Sequence, residues 1–345
     1  MAKITLIGTS FTEKGQGVPE MVENYFNAIK GELDVGMIDI TEIATTRFQS
    51  IPILFSRDLA LLSLRDKLSE KNLHVMHPFD LIFNVMPLLN ISKRVKKKVV
   101  TVHDFFPFIN SSRKGLKKST YEHLKRRGYD YLTGYDFILA TSRETREQLI
   151  NRFDLDDRII EVQGPVIDYN FRPRENEREK EVLQIGYINN FNWNKVEMLR
   201  HFIEKFKQNK RLKAKFHIHG PNFPFSKLIE DDIRITYHGY LPHNDVPKTL
   251  SKIDVYLSTS AHEGFGIPIA KAKAMKVPVL CYDGVIPDIM KRNTLIWNKT
   301  NLDEILDSRA WERVNLDDAY RDISSLRPQA VIDQSVRIYE DVFQI

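Results

Sequence analysis

The sequence predicts an α/β protein made of two doubly wound parallel-sheet domains of similar size. Three observations carry this. Short apolar runs rich in β-branched residues alternate with amphipathic helical stretches almost from end to end. The alternation stops at "EVQGPVIDYNFRPRENEREKE" (161–181), where glycine, prolines and a charge run read as a linker, and then it begins again. The length, 345 residues, suffices for two separate cores.

Taken in order, "KITLIG" (3–8) is a strand, "VPEMVENYFNAIKG" (18–31) an amphipathic helix and "VGMIDIT" (35–41) a second strand. "DLIFNV" (80–85) and "KKVVTVHD" (97–104) are apolar enough for buried strands, and residues 116–132 have a helical period. "DFILATS" (136–142) and "RETREQLINRF" (143–153) close the first set as strand and helix. After the linker come strand 182–188, helix 194–208, strand 213–220, strand 232–240, helix 246–253, strand 254–260, helix 267–276 and strand 277–283. This pattern places the domains at 1–165 and 166–325, facing across a cleft, with ligands bound where the loops leave the carboxyl ends of the strands.

One cysteine, Cys281, excludes an internal disulfide and fits a reducing compartment. "MAKITLIGTS" reads as a first strand rather than a leader, and no apolar run is long enough to span a bilayer, so a cytoplasmic protein is expected. The net charge is +5, unevenly spread: residues 93–127 carry twelve basic side chains against Asp104 and Glu122, a local charge of +10. Such a segment suits an anionic membrane, a nucleic acid or a phosphorylated substrate, and equally a solvated basic face.

The stretch with the most chemistry is "AHEGFGIPIAKAKAMKVPVLCYDG" (261–284). A strand delivers Glu263, Gly264-Phe265-Gly266 turns the chain into a helix at Ile267, and Pro268 falls in its first turn, where a missing N–H costs nothing. Glycines permit close backbone approach, and the open amides and dipole of the helix start favour a phosphate. Glu263 would accept hydrogen bonds from hydroxyls of a sugar attached to that phosphate. A purely structural reading stands beside this one: a buried strand–turn–helix in which Glu263 caps the helix.

"EGFGIPIAKAKAMKVPVL" resembles the signature of retaining glycosyltransferases of family 4, enzymes of the GT-B fold with two Rossmann-like domains. "TVHDFFPF" (101–108), "GPVIDYNFRP" (164–173), "VLQIGYINNFNWNKVEML" (182–199) and the run 235–266 are similar to other parts of that family. "QSVRIYEDVF" resembles its terminal helix, so residues 326–345 are expected to cross back to the first domain. The resemblance implies a sugar transferred from a nucleotide-diphosphate donor to a glycan or lipid-linked acceptor with retention. It implies no metal and no cofactor beyond the donor. It implies catalytic roles for Glu263 and His103, and substrate contacts from Gly15, Gly17, Lys195, Gly220, Gly264, Phe265, Gly266, Ile267 and Lys271. Peripheral contact with an anionic membrane would run through residues 93–127.

Three positions depart from the pattern. Tyr187 stands where an arginine is usual, Lys271 replaces a second glutamate, and Lys276-Val277 replaces the glycine before "PV". Lysine offers only donors, so Lys271, expected in the first turn of its helix, would meet phosphate or hydroxyl oxygens and offset the missing arginine. His217 and His219 share one strand face, but the nearby sequence offers no third metal ligand. Two rival functions follow from these features: a non-catalytic nucleotide-sugar-binding descendant, motivated by positions 187 and 271, and a nucleic-acid-binding protein, motivated by the basic segment but lacking any recognition helix or aromatic RNA-binding signature.

Overall fold

The computed structural model describes residues 4–8, 17–39, 74–79, 95–105, 132–173, 182–191 and 193–344. The chain forms two compact units, Met1–Val166 with Pro328–Ile345, and Ile167–Arg327.

The first unit holds a six-stranded parallel sheet of order β2-β1-β3-β4-β5-β6. Its strands are β1 (Ile4–Gly8), β2 (Val35–Asp39), β3 (Val75–Pro78), β4 (Lys97–Val102), β5 (Phe137–Ala140) and β6 (Ile160–Val162). Neighbouring residues on one strand enter different cores. Leu6, Val99 and Phe137 join helices 17–29 and 328–344 through Val22, Tyr25, Val331 and Tyr339. Ile7, Val100 and Ile138 join Leu149 of helix 143–153 on the other face. Burial on both faces is why these strands read as unbroken apolar runs.

The second unit repeats the plan with order β12-β11-β10-β7-β8-β9. Its strands are β7 (Leu183–Ile188), β8 (Ala214–His219), β9 (Ile235–Tyr237), β10 (Val255–Ser258), β11 (Val279–Tyr282) and β12 (Leu295–Trp297). Ile185, Tyr187, Phe216 and Leu257 pack beneath Phe202 and Phe206 of helix 193–208. Tyr256, Val279 and Cys281 pack against Ile269, Ala270 and Ala272 of helix 267–274. The chain enters and leaves this unit side by side: Ile167 N–H donates to Leu326 O at 2.8 Å, and Arg327 holds Phe171 O at 2.8 Å.

Several elements differ from the sequence expectation. The run 80–85 lies outside the described residues, and the third strand is Val75–Pro78, hidden in the sequence by its histidine and proline. The three-residue strands β6 and β12 are too short to give a period. Within the expected linker, Ile167 and Phe171 are core residues of the second unit.

Candidate functional site

In the second sheet the strand order reverses between β7 and β10: β8 and β9 extend to one side, β11 and β12 to the other. The loops after β7 and β10 part at this switch point, which is where open α/β sheets bind ligands. Glu263, from the loop after β10, and Lys195, at the start of helix 193–208 after β7, meet there at 2.9 Å, with side chains 18% and 10% exposed. Ser260 Oγ donates to the same Glu263 oxygen, Oε1, at 2.5 Å, and Lys195 Nζ also donates to Asn189 Oδ1 at 2.8 Å. Oε2 of Glu263 has no partner among the described residues.

The backbone holds this pair in place. Ala261 N–H donates to Asn194 O, Asn194 Nδ2 to His262 O at 2.8 Å, and Thr259 Oγ1 to Lys195 O at 3.0 Å. On the other side Glu263 N–H donates to Val285 O, and Val285 N–H to Ala261 O. This close approach requires Gly284, because a Cβ there would lie 2.5 Å from Ser260 O. Gly220 is likewise fixed by contact, its Cβ position lying 2.1 Å from Asn189 O.

Gly266 caps helix 267–274 with φ 93° and no side-chain bond, so Glu263 does not cap the helix. The Phe265 ring is core, leaving its amide, with those of Gly264, Gly266 and Ile267, at the helix mouth. Lys271 corrects an expectation: the helix begins at Ile267, so Lys271 opens its second turn. It is buried, with its ammonium 5.0 Å from the Phe171 ring centroid. Tyr187 lies in the cluster on the opposite sheet face, stacked on Phe191 at 5.8 Å, and burial raises its phenol pKa. Lysine at 271 therefore does not occupy the place of a cation at 187.

Asn189, Asn194, Ser260 and Lys273 were not singled out from the sequence. Lys273 is fully buried, donating to Ile289 O, Arg292 O and Asp322 Oδ2 at 3.0, 2.5 and 3.3 Å, and burial lowers its pKa. The only available signal was its presence, with Lys271, in an otherwise apolar helix. His217 and His219 do gain a third neighbour, His238, with rings stacked at centroid distances of 5.2 and 4.5 Å. Burial depresses His219 to about 4. The His217 ring nitrogens are already taken, Nδ1 bonding to His238 Nε2 at 3.0 Å and Nε2 to Gln184 Oε1 at 2.8 Å, and no group of three potential metal ligands is arranged to hold an ion among the described residues.

In the first unit, half-buried His103 follows β4, and its Nε2 bonds to the carbonyl of Phe79. Gly17 is the first residue of helix 17–29, while Gly15 lies outside the described residues. Of the basic segment, residues 93–94 and 106–127 also lie outside them; Lys98 Nζ donates to Gly134 O at 3.1 Å. Among the described residues no helix is long and apolar enough to cross a membrane.

Residues 179–308, which include Lys195 and Glu263, match the family described as glycosyl transferases group 1. Over 112 residues the chain is 30% identical to the O-antigen chain mannosyltransferase B of Escherichia coli, a stretch covering 31% of this chain and 29% of that protein. The fold is similar over the full length of both chains to sucrose-phosphate synthase of Thermosynechococcus elongatus, with TM-score 0.81 and 13% identity. It is also similar to HepE of Anabaena, solved with UDP and glucose, with TM-score 0.72, 12% identity and coverage of 99% and 100%. The chain has the GT-B fold. The match to the group 1 glycosyl transferases lies within its second unit and spans less than half of the chain.

Proposed function

We propose that the chain transfers a sugar from a nucleotide-diphosphate donor to a hydroxyl of a glycan or lipid-linked acceptor, with retention of configuration. The observation that carries this reading is the Lys195–Glu263 pair, set at the switch point beside the start of helix 267–274 and inside the family match. The donor diphosphate lies against the helix amides and the Lys195 ammonium, and Glu263 Oε2 accepts hydrogen bonds from the sugar. As the glycosidic bond breaks, negative charge grows on the departing phosphate, where Lys195 and the helix start are preorganised to stabilise it. That phosphate oxygen takes the acceptor proton, so the reaction uses no carboxylate base, and we assign it no metal or further cofactor. His103 holds a substrate hydroxyl. Mannose donors are the first to test, since mannosyl transfer is the named activity of the Escherichia coli relative.

A radiolabelled panel of nucleotide sugars, scored for hydrolysis and transfer with the product anomer read by NMR, tests this. Turnover with the donor configuration kept is expected. Nucleotide binding without turnover would establish the second reading, a non-catalytic binding descendant, which Tyr187 and Lys271 favour. The basic segment 93–127 would hold this cytoplasmic enzyme on anionic membranes bearing its acceptor. Flotation with anionic liposomes that salt reverses is the expected result; equal flotation with neutral liposomes would remove the idea.

A further inference from the structure

The least explained group in the first unit is a histidine that faces no solvent. His77 on β3 is fully buried, with Nδ1 at 2.6 Å from Tyr339 Oη and Nε2 at 2.8 Å from Thr101 Oγ1. It thus joins β3 to β4 and to the terminal helix 328–344. Burial depresses it to about 3, so the ring is neutral in the folded protein.

Its geometry repeats at the neighbouring rung. His77 and Phe79 are two apart along one strand direction, Thr101 and His103 two apart along the next, and residues so spaced share a face. The first rung is the His77–Thr101 bond, the second the bond between His103 Nε2 and Phe79 O. A carbonyl only accepts, so Nε2 of His103 carries the proton, and Nδ1 of the neutral ring is left as an acceptor. The place of the Phe79 carbonyl depends in turn on the end of β3. Phe79 N–H extends the sheet by donating to Ile7 O at 2.8 Å, and its ring packs 4.7 Å from His77 and 5.0 Å from Tyr25. Thr141 Oγ1 fixes the backbone of His103 itself, bonding its carbonyl at 2.8 Å.

We propose that His77, clamped between Thr101 and Tyr339, is a positioning residue for His103: it holds the Phe79 carbonyl where it selects the Nε2–H tautomer and presents Nδ1 as an acceptor for a substrate hydroxyl. The terminal helix thereby contributes to the site through Tyr339, although Tyr339 touches no substrate. The inference rests on the reading of His103 as a substrate contact, but its structural part stands apart from transferase activity.

The test uses the full chain with 15N-labelled histidine. Tyr339→Phe removes one bond to His77 at constant shape, and Thr101→Val removes the other. Thermal melts identify which variants fold, and two variants guard against one failing. In the wild type, His103 should show a single Nε2–H pattern from pH 6 to 8. In a folded variant the pattern should average between tautomers and titrate nearer the ordinary histidine value. kcat should fall by about tenfold to a hundredfold, the scale for a displaced catalytic group, with KM for the donor sugar unchanged. In a His103→Ala background the effect of Tyr339→Phe on kcat should vanish. An unaltered His103 pattern in both folded variants would overturn the proposal. So would an altered pattern with unaltered turnover. If the wild type turns over no donor, the glycosyltransferase reading fails, while the tautomer measurement still decides whether His77 positions His103.

Discussion

Two lysine–carboxylate pairs in the second unit differ in what they leave open. Lys273 has a side chain 0% exposed, and its three N–H donors meet Ile289 O, Arg292 O and Asp322 Oδ2. Lys195 meets Glu263 and Asn189, so one of its three donors is without a partner among the described residues, as is Glu263 Oε2. A buried charge whose every valence is used is a staple. One with a donor and an acceptor to spare, at the switch point of a parallel sheet, is suited to a ligand. Lys273 has its own place in the arrangement: it ties down segment 289–292, next to the loop in which Val285 bonds the Glu263 backbone.

The contrast breaks most readily at the staple. Lys273→Ala leaves the Asp322 carboxylate and two carbonyls without their cation, and urea unfolding should show a loss of about 3–5 kcal/mol. A loss below about 1 kcal/mol would mean that the buried ammonium is dispensable. Glu263→Ala should do the reverse. Transfer should fall by about a hundredfold or more, ~2.7 kcal/mol of transition-state stabilisation, while the urea midpoint stays close to wild type. Transfer within about tenfold of wild type, ~1.4 kcal/mol, would reassign Glu263 to structure.

The first unit offers the same contrast in histidines. His77 uses both ring nitrogens, whereas His103 uses one of them on Phe79. Burial lowers both pKa values, His77 to about 3 from an ordinary 6.5. The unfolded chain therefore binds protons that the folded one refuses. Stability is fully present above about pH 6.5 and falls as pH drops towards 3, with a slope of up to about 1.4 kcal/mol per unit for each group. Carboxylates held low, such as Asp232 at about 2 beside Arg234, contribute only below about pH 4. The window from 4 to 6.5 thus isolates the histidines. Stability by urea titration should decline across it, with His219 and its neighbours in the second unit contributing as well, and His77→Phe should make the decline shallower by the share of one group; a wild-type curve already flat there would contradict the buried neutral rings.

The smallest effect is expected at Lys271. Lys271→Ala removes a cation–π contact with Phe171 worth about 0.5–2 kcal/mol, so stability should drop modestly and nucleotide binding little. Lys271→Glu should weaken both further by setting a carboxylate against the ring. Tighter nucleotide binding by Lys271→Glu would instead mark a degenerate site.

The sheets were legible in the sequence because burial on both faces writes each strand as an apolar run, as in 97–102 and 255–258. β3 was not, because its histidine is buried by hydrogen bonds that come from Thr101 and from Tyr339, far along the chain. Glu263 and Lys195 were legible through local motifs, since a turn into a helix start has a sequence form. Their contact, and the roles of Asn189, Asn194 and Ser260, were not, because those depend on loops after two strands that sequence order separates. Lys271 and Tyr187 misled for a related reason: the place of each in its own motif carried no information about which sheet face it takes.

Whether the Lys195–Glu263 pair is a donor site is decided by calorimetric titration of the wild type, Lys195→Ala and Glu263→Ala with UDP, GDP and ADP. At least one nucleoside diphosphate should bind the wild type and bind Lys195→Ala at least about tenfold more weakly (~1.4 kcal/mol). Glu263→Ala should bind it nearly as well, since that carboxylate is assigned to the sugar. Equal binding by the wild type and Lys195→Ala, or no binding of any of the three to the wild type, would contradict the assignment of the Lys195–Glu263 pair as a donor site.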